Sequence, residues 1–491
     1  MKEERPGRAA CMLQGLISKY KNTNVAVRAS LWFAVSSVVQ RGISVLTMPI
    51  FTRLMDTEQY GQYQVFLTWY NILVILITLN VHTDIFNKGL IEHADEKDMF
   101  TASQAGLLIA LTVVWSVIYL PFRAFFNRLL GLSTVLMLFM ILEILGSSLI
   151  SLWMARRRFE FDYRRIVRLT LSMSVLNPVG GAIFVILSEH KAEARIISNA
   201  VIPIIVAIFV LWQFSRRGKL FGNFKWWKPA LLAALPLIPH YLSLVLLNQS
   251  DKLMINYYKG SSDAAIYSVA HSAGLLMTIV STSINSSFVP WSYDQMKNHG
   301  GEGIRSVSRL LLLLVLLCNV GIIWVAPEAV RLLAAPQYSE AAWCMVPIAM
   351  SVFFFFAYTL FVDVEIYYGA NRFIAIASVC AAVLNIVLNY LFVPRFGYIA
   401  AGYTTLFSYA ATMLLHLLFL NKVLTKLGKR MDLFDCGTLA AFTVLLIVLS
   451  ALGANLYKYP WIRLSVVAVS LSVAIHQRKR IKNLLQQMTV R

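Results

Sequence analysis

AAWCMVPIAMSVFFFFAYTLFV, residues Ala341 to Val362, runs for 22 residues without an Asp, Glu, Lys or Arg. Wound as a helix at about 1.5 Å per residue, it measures about 33 Å, enough to cross a bilayer core of about 30 Å. Comparable apolar runs recur from Leu31 to Ile475. Of the 491 residues, 58% are hydrophobic and 14% charged, whereas soluble proteins are roughly 25% charged. A water-soluble globule is excluded, and the expected class is an all-α polytopic membrane protein.

Working outward from that run, the sequence places spans at 29–52, 64–83, 101–121, 132–153, 166–187, 196–214, 230–250, 264–289, 306–326, 341–362, 373–393, 399–420, 436–456 and 461–476, about fourteen transmembrane helices. Residues 1–28 hold only the short apolar patch Cys11 to Ile17 and no small-residue cleavage site, so the first span is expected to act as an uncleaved targeting segment. The net charge of +20 would suggest nucleic acid in a soluble chain, but here it follows the membrane. With both termini cytoplasmic, 32 Lys and Arg fall on the cytoplasmic side and 11 on the other, with Arg41 inside the first span. That bias sets the orientation. Arg156-Arg157-Arg158, Arg216-Arg217 and Arg478-Lys479-Arg480 are expected to fix topology and meet anionic lipid headgroups. No nucleic acid partner is expected.

Five cysteines, Cys11, Cys318, Cys344, Cys380 and Cys436, form no C-x-x-C pair, so neither a disulfide framework nor a metal site is expected, and no cofactor. The longest outward connection, Pro327 to Glu340, has no more than 14 residues. That leaves no extramembrane catalytic domain, and a transporter or channel, not an enzyme, is expected.

FTRLMDTEQYGQY, Phe51 to Tyr63, is echoed by NYYKGSSDAAIY, Asn256 to Tyr267, at a shift of 204 residues or six spans. An even shift gives two halves of the same orientation, as in parallel-repeat carriers. The expected organisation is a basic cytoplasmic segment 1–28, a six-helix bundle 29–214, a linker 215–229, a second six-helix bundle 230–420, a linker with two appended helices 421–476, and a basic tail 477–491.

Ionisable groups in a span cost about 2.5–3.5 kcal/mol each on insertion scales and tend to face a cavity or a partner. Arg41 lies mid-way along the first span and Glu143 mid-way along the fourth; Asp251 and Lys252 close the seventh, and Asp363 with Glu365 the tenth. Arg41 offers a fork suited to phosphate oxygens, or a structural pair with Glu143. Asp251 and Lys252 are adjacent, point to different helix faces and are not expected to neutralise one another; interfacial snorkelling is their bland alternative. Asp363-Val364-Glu365 reads as the D-x-E that in membrane glycosyltransferases holds a metal or acts as base, but three letters recur often and a cytoplasmic helix end is the favoured explanation. Glu143, Asp363 and Glu365 are candidates for ion coupling. Asn248, Asn285, Asn319, Asn385 and Asn389 place amides at membrane depth, for sugar hydroxyls or interhelical bonds, and Asn385 and Asn389 share one face. Pro49, Pro178, Pro236 and Pro239 permit kinks.

PIFTRLMDTEQYGQY (Pro49–Tyr63), LPLIP (Leu235–Pro239), NQSDKLMINYY (Asn248–Tyr258) with Ala265-Ile266-Tyr267, and LNIVLNYLFVPRFGYIAAGYTT (Leu384–Thr405) stand in order along spans 1 to 12. Together they resemble the polysaccharide transporter family, the O-antigen and capsule flippases of the multidrug/oligosaccharidyl-lipid/polysaccharide exporter superfamily. The resemblance implies two six-helix bundles in a V and a carrier that moves an undecaprenyl-diphosphate-linked oligosaccharide between leaflets. It implies residence in the bacterial cytoplasmic (inner) membrane, with polysaccharide polymerase and glycosyltransferases as partners. It carries over a cleft role for Arg53, Asp251 and Lys252, to which membrane depth adds Arg41 and Asn248. A cation-coupled drug antiporter and a lipid II flippase of the same superfamily are the nearest alternatives; a membrane glycosyltransferase or polymerase and a multi-span scaffold are more distant.

Overall fold

The computed structural model describes residues 24–218, 221–298, 301, 303–426 and 433–476. The tail 477–491, with Arg478-Lys479-Arg480, and nearly all of segment 1–28 lie outside the described residues. Within them the chain is helical and forms no strand, as the apolar runs dictate: a backbone in hydrocarbon must satisfy its own hydrogen bonds. The first half contains α1 (Val25–Leu54), α2 (Thr57–Thr78), α3 (Asp84–Glu92), α4 (Lys97–Tyr119), α5 (Arg123–Leu130), α6 (Thr134–Phe159), α7 (Tyr163–Leu187) and α8 (Lys191–Gly218). It is followed by α9 (Phe224–Ala234), α10 (Ile238–Lys259), α11 (Ser261–Gly274), α12 (Leu276–Asn298), α13 (Ile304–Trp324) and α14 (Ala326–Leu333). Last come α15 (Ala341–Tyr367), α16 (Asn371–Lys426), α17 (Cys436–Asn455) and α18 (Pro460–His476).

Every expected span falls largely on a helix, and ten helices among the described residues are long and apolar enough to cross a membrane. Three prolines and a glycine shape the breaks. LPLIP becomes a 3-10 turn, Leu235–Leu237, that joins α9 to α10. Pro394 and Gly397 divide α16, where Gly397 takes φ 68°, ψ −154°, a conformation open only to glycine. The two arms on either side of this kink carry the two expected spans 373–393 and 399–420.

Contacts divide the chain into two compact units: 1–48 with 73–238, and 49–72 with 239–491. Residues 49–72, from the first half of the sequence, thus pack with the second unit. In the first unit Gly146 of α6 faces α8; a Cβ there would meet the Pro203 carbonyl oxygen at 3.0 Å. The indole of Trp227 donates to the Ser103 carbonyl at 2.9 Å and pins α9 to α4. α7 is the contrast, since only 11% of its apolar window is buried and its outer face is left to lipid.

The second unit is built around α15, the opening run, of which 78% is buried. A helix apolar all round finds burial on all sides, and α11, α12, α13, α14, α16 and α17 surround it. The two echoing segments meet in this unit. The Thr57 hydroxyl donates to that of Ser262 at 3.1 Å, and Gly61 lies so close to Ser261 that a Cβ would meet its carbonyl oxygen at 1.9 Å. The appended helices are fastened by Arg463, buried at 1% exposure. Its guanidinium grips Glu328 of α14 through two bonds of 2.6 and 2.8 Å and also donates to the Trp324 carbonyl.

Candidate functional site

The second unit holds a buried polar network centred on Asp251 of α10. One carboxylate oxygen accepts from the Asn389 amide at 2.5 Å, the other from the Tyr267 hydroxyl at 2.5 Å and the Thr405 hydroxyl at 2.7 Å. Asn389 also donates to Asn385 at 3.1 Å and accepts from Thr404 at 2.6 Å, and Asn385 accepts from Ser250 at 3.1 Å. The i, i+4 spacing of Asn385 and Asn389 puts both on the face of α16 turned to α10. Polar partners come from α10, α11 and both arms of α16, bent together at Gly397. Asp251 is 1% exposed. A carboxylate so deep is tolerable only when hydrogen-bonded, and here both oxygens accept, three bonds in all.

Lys252, the next residue, is 7% exposed. No hydrogen bond or ion pair within contact distance joins its ammonium to another described residue, but, against the sequence expectation that the two would act apart, it feels the Asp251 charge. Its charge reaches His271 of α11, which stacks on Tyr267 with ring centroids 5.7 Å apart. Asn248, one turn earlier, accepts from the Tyr409 hydroxyl at 2.9 Å and donates to the Leu244 carbonyl.

Three other predicted acids share a feature that Asp251 lacks: each keeps a buried oxygen without a hydrogen-bond partner, Glu143 Oε2, Asp363 Oδ2 and Glu365 Oε1. Glu143 accepts from Asn199 at 2.6 Å through its other oxygen and feels the Arg195 charge. Arg195 is 6% exposed and donates to Asn177 at 3.1 Å. Asp363 is bonded by Asn285. Glu365 lies 2.8 Å from His416 Nδ1, both fully enclosed. Asp363 and Glu365, two residues apart, therefore serve different neighbours, and the described residues contain no cluster of three His, Cys, Asp or Glu able to hold a metal.

Arg41 and Arg53 are exposed. Glu143, the suggested partner of Arg41, is occupied by Asn199 instead. Arg53 donates to the carbonyls of Pro49, at 3.0 Å, and Arg331, at 3.4 Å. Tyr267 stood in the sequence only as part of the echo and of the family motif, without a site role; Arg195, His271, Tyr409 and His416 were not singled out. Arg195 sits one residue outside an expected span and passes for a loop charge, and the others are unremarkable in an apolar run until their partners are known. Beside the Asp251 network an apolar recess of about 1190 Å³ opens between α15, both arms of α16, and α17, lined by Phe354, Phe392, Tyr403, Met413 and Val444 among others.

The family model described as "Polysaccharide biosynthesis protein" matches residues 26–296. A protein of the Lsg locus of Haemophilus influenzae is 20% identical over 374 residues, 73% of this chain and 88% of that protein. Among solved structures, the lipid II flippase MurJ in its inward closed conformation superposes with a TM-score of 0.66 at 13% identity, covering 92% of this chain and all of that one. An inward-facing multidrug resistance MATE family transporter of the MOP superfamily gives 0.63 at 14% identity, over 82% of this chain and all of its own. At these identities the likeness is one of fold.

Proposed function

The chain belongs to the polysaccharide biosynthesis protein family, and from that premise we propose that it is a flippase for undecaprenyl-diphosphate-linked oligosaccharide repeat units. It carries them by alternating access from the cytoplasmic to the outer leaflet of the bacterial cytoplasmic membrane, for O-antigen, capsule or exopolysaccharide assembly. Both termini face the cytoplasm, and the basic clusters at Arg156-Arg157-Arg158 and Arg216-Arg217 rest on anionic lipid. The polymerase and glycosyltransferases that use and supply the cargo are its partners.

The observation that carries this reading is Lys252. A largely buried ammonium loses several kcal/mol of hydration; the neighbouring Asp251 charge returns part of it, and no hydrogen bond to a described residue adds to that. A diphosphate headgroup entering from the aqueous side would do so. Asn248, with one amide hydrogen to spare, can meet a sugar hydroxyl, and Arg41 and Arg53 supply further cationic contacts. Asp251 holds its own network and keeps α10 in register. The apolar recess suits an isoprenoid chain that stays in hydrocarbon while the headgroup moves. Ion coupling falls to Glu143, Asp363 and Glu365, which have carboxylate oxygens to spare.

Proteoliposomes loaded with a fluorescent isoprenoid diphosphate sugar provide the test, with the fraction quenched by external dithionite as the readout. The protein should flip the probe, Lys252→Gln should slow it about tenfold, a loss of about 1.4 kcal/mol, and Lys252→Arg should retain more. A rate equal to that of empty liposomes would sink the proposal. Cation-driven efflux of a dye in its place would favour the drug antiporter.

A further inference from the structure

We propose that Glu365 and His416 form a proton-binding site whose occupancy is passed through Tyr358, Tyr409 and Asn248 to α10, the helix of Asp251 and Lys252. It deepens the reading of the chain as a carrier by naming the coupling ion and its route. Glu365 is 0% and His416 1% exposed, their contact is 2.8 Å, and Glu365 Oε1 is buried without a partner. With one proton between them the pair is neutral overall, the charge state a low-dielectric site favours. A second proton has a place to go, the unpartnered Oε1. Once protonated, the carboxyl is a weaker acceptor from imidazolium, and the tie between α15 and the second arm of α16 slackens.

The route onward is continuous. The His416 ring stacks on Tyr358 at 5.6 Å and 18°, Tyr358 stacks on Tyr409 at 6.1 Å and 13°, and the Tyr409 hydroxyl donates to Asn248 at 2.9 Å. Asn248 lies one helical turn before Lys252, so a shift of the ring column reaches the cation through a rigid helix. Phe373 closes the edge of the imidazole at 5.5 Å.

Other titratable groups on the elements around α15 are paired elsewhere or exposed. Asp363 is bonded by Asn285 of α12, and Tyr293 of α12 lies near Asp363 and packs on Tyr367. On α11, His271 stacks on Tyr267 and Asp263 senses Lys259. Arg305 and Arg309 of α13 pair with Asp435 at the start of α17, and Glu328 of α14 pairs with Arg463. On α16, Arg372 and Lys422 are exposed. His416 is the group whose charge reaches Glu365.

The test uses the full chain in nanodiscs without any transport substrate, so that failure of the flippase reading and failure of the proton site are separable. Infrared difference spectra across a pH step should show a protonated-carboxyl band that Glu365→Gln removes. Hydrogen-exchange protection of α10, corrected for intrinsic pH dependence, should change roughly tenfold across the step in the wild type and stay constant in Glu365→Gln. Tyr409→Phe should keep the band but lose the response of α10, an uncoupling that no purely structural pair would give. Should Glu365→Gln fail to fold, judged by its thermal melt, His416→Gln carries the same expectation. A response of α10 that is unchanged in these variants overturns the proposal.

Discussion

At the scale of single residues, the second unit separates two kinds of buried acid. Asp251 has both its oxygens hydrogen-bonded, and its loss is expected to be felt in stability. Asn389→Ala would leave one Asp251 oxygen without its amide donor and is expected to destabilise the protein by about 2 kcal/mol, within the range for unsatisfied buried groups, read from thermal melts in detergent. Outside the membrane, Asp435 caps α17: its carboxylate accepts from the Gly437 and Thr438 amides and the Thr438 hydroxyl, and pairs with Arg309. The Thr438 bonds above all, then Arg309, hold this carboxyl well below the usual carboxylate range. A depressed acid stabilises the fold above its unfolded value of about 3.9 and loses that contribution as pH falls from there through its folded value. The melting difference between wild type and Asp435→Ala is therefore expected to be full near neutrality and to shrink in strong acid.

Among elements, close approaches set the packing. Gly61→Ala would put a methyl 1.9 Å from the Ser261 carbonyl oxygen. Backbone cannot yield as a flexible side chain can, so α2 and α11 must part. The expected cost is about 3 kcal/mol or more, seen as a lower melting temperature. Arg463→Ala would leave Glu328 without its bidentate partner and loosen α18 from α14. Arg463 is buried but Glu328 is one-third exposed, so the expected cost is that of charged hydrogen bonds, about 1.5–3 kcal/mol, and proteolysis before Pro460 should accelerate in step.

For the whole molecule, the charge bias predicts sidedness. Single cysteines introduced at Arg158 and Arg305 in a cysteine-free background should react with an impermeant maleimide only from the cytoplasmic face, and those at Lys259 and Ser339 only from outside. The reverse pattern would invert the assigned orientation. Among the described residues the connections between helices are short and no separate extramembrane domain is formed.

The amino-acid sequence by itself determined that the chain is a membrane-embedded set of helices and where most of them begin and end, because hydropathy over about 20 residues is a local property. It also exposed the acids and the lysine at membrane depth, since any charge stands out in an apolar run. Only the tertiary structure decided what those groups do. The partners of Asp251 lie 16 to 154 residues away, and the histidine of Glu365 lies 51 away, near the end of another helix. Arg195 looked like a loop residue and Arg463 like one more basic charge until neighbouring helices enclosed them. Burial and pairing are relations between distant segments. They exist only once packing has brought those segments together, which no local pattern of residues encodes.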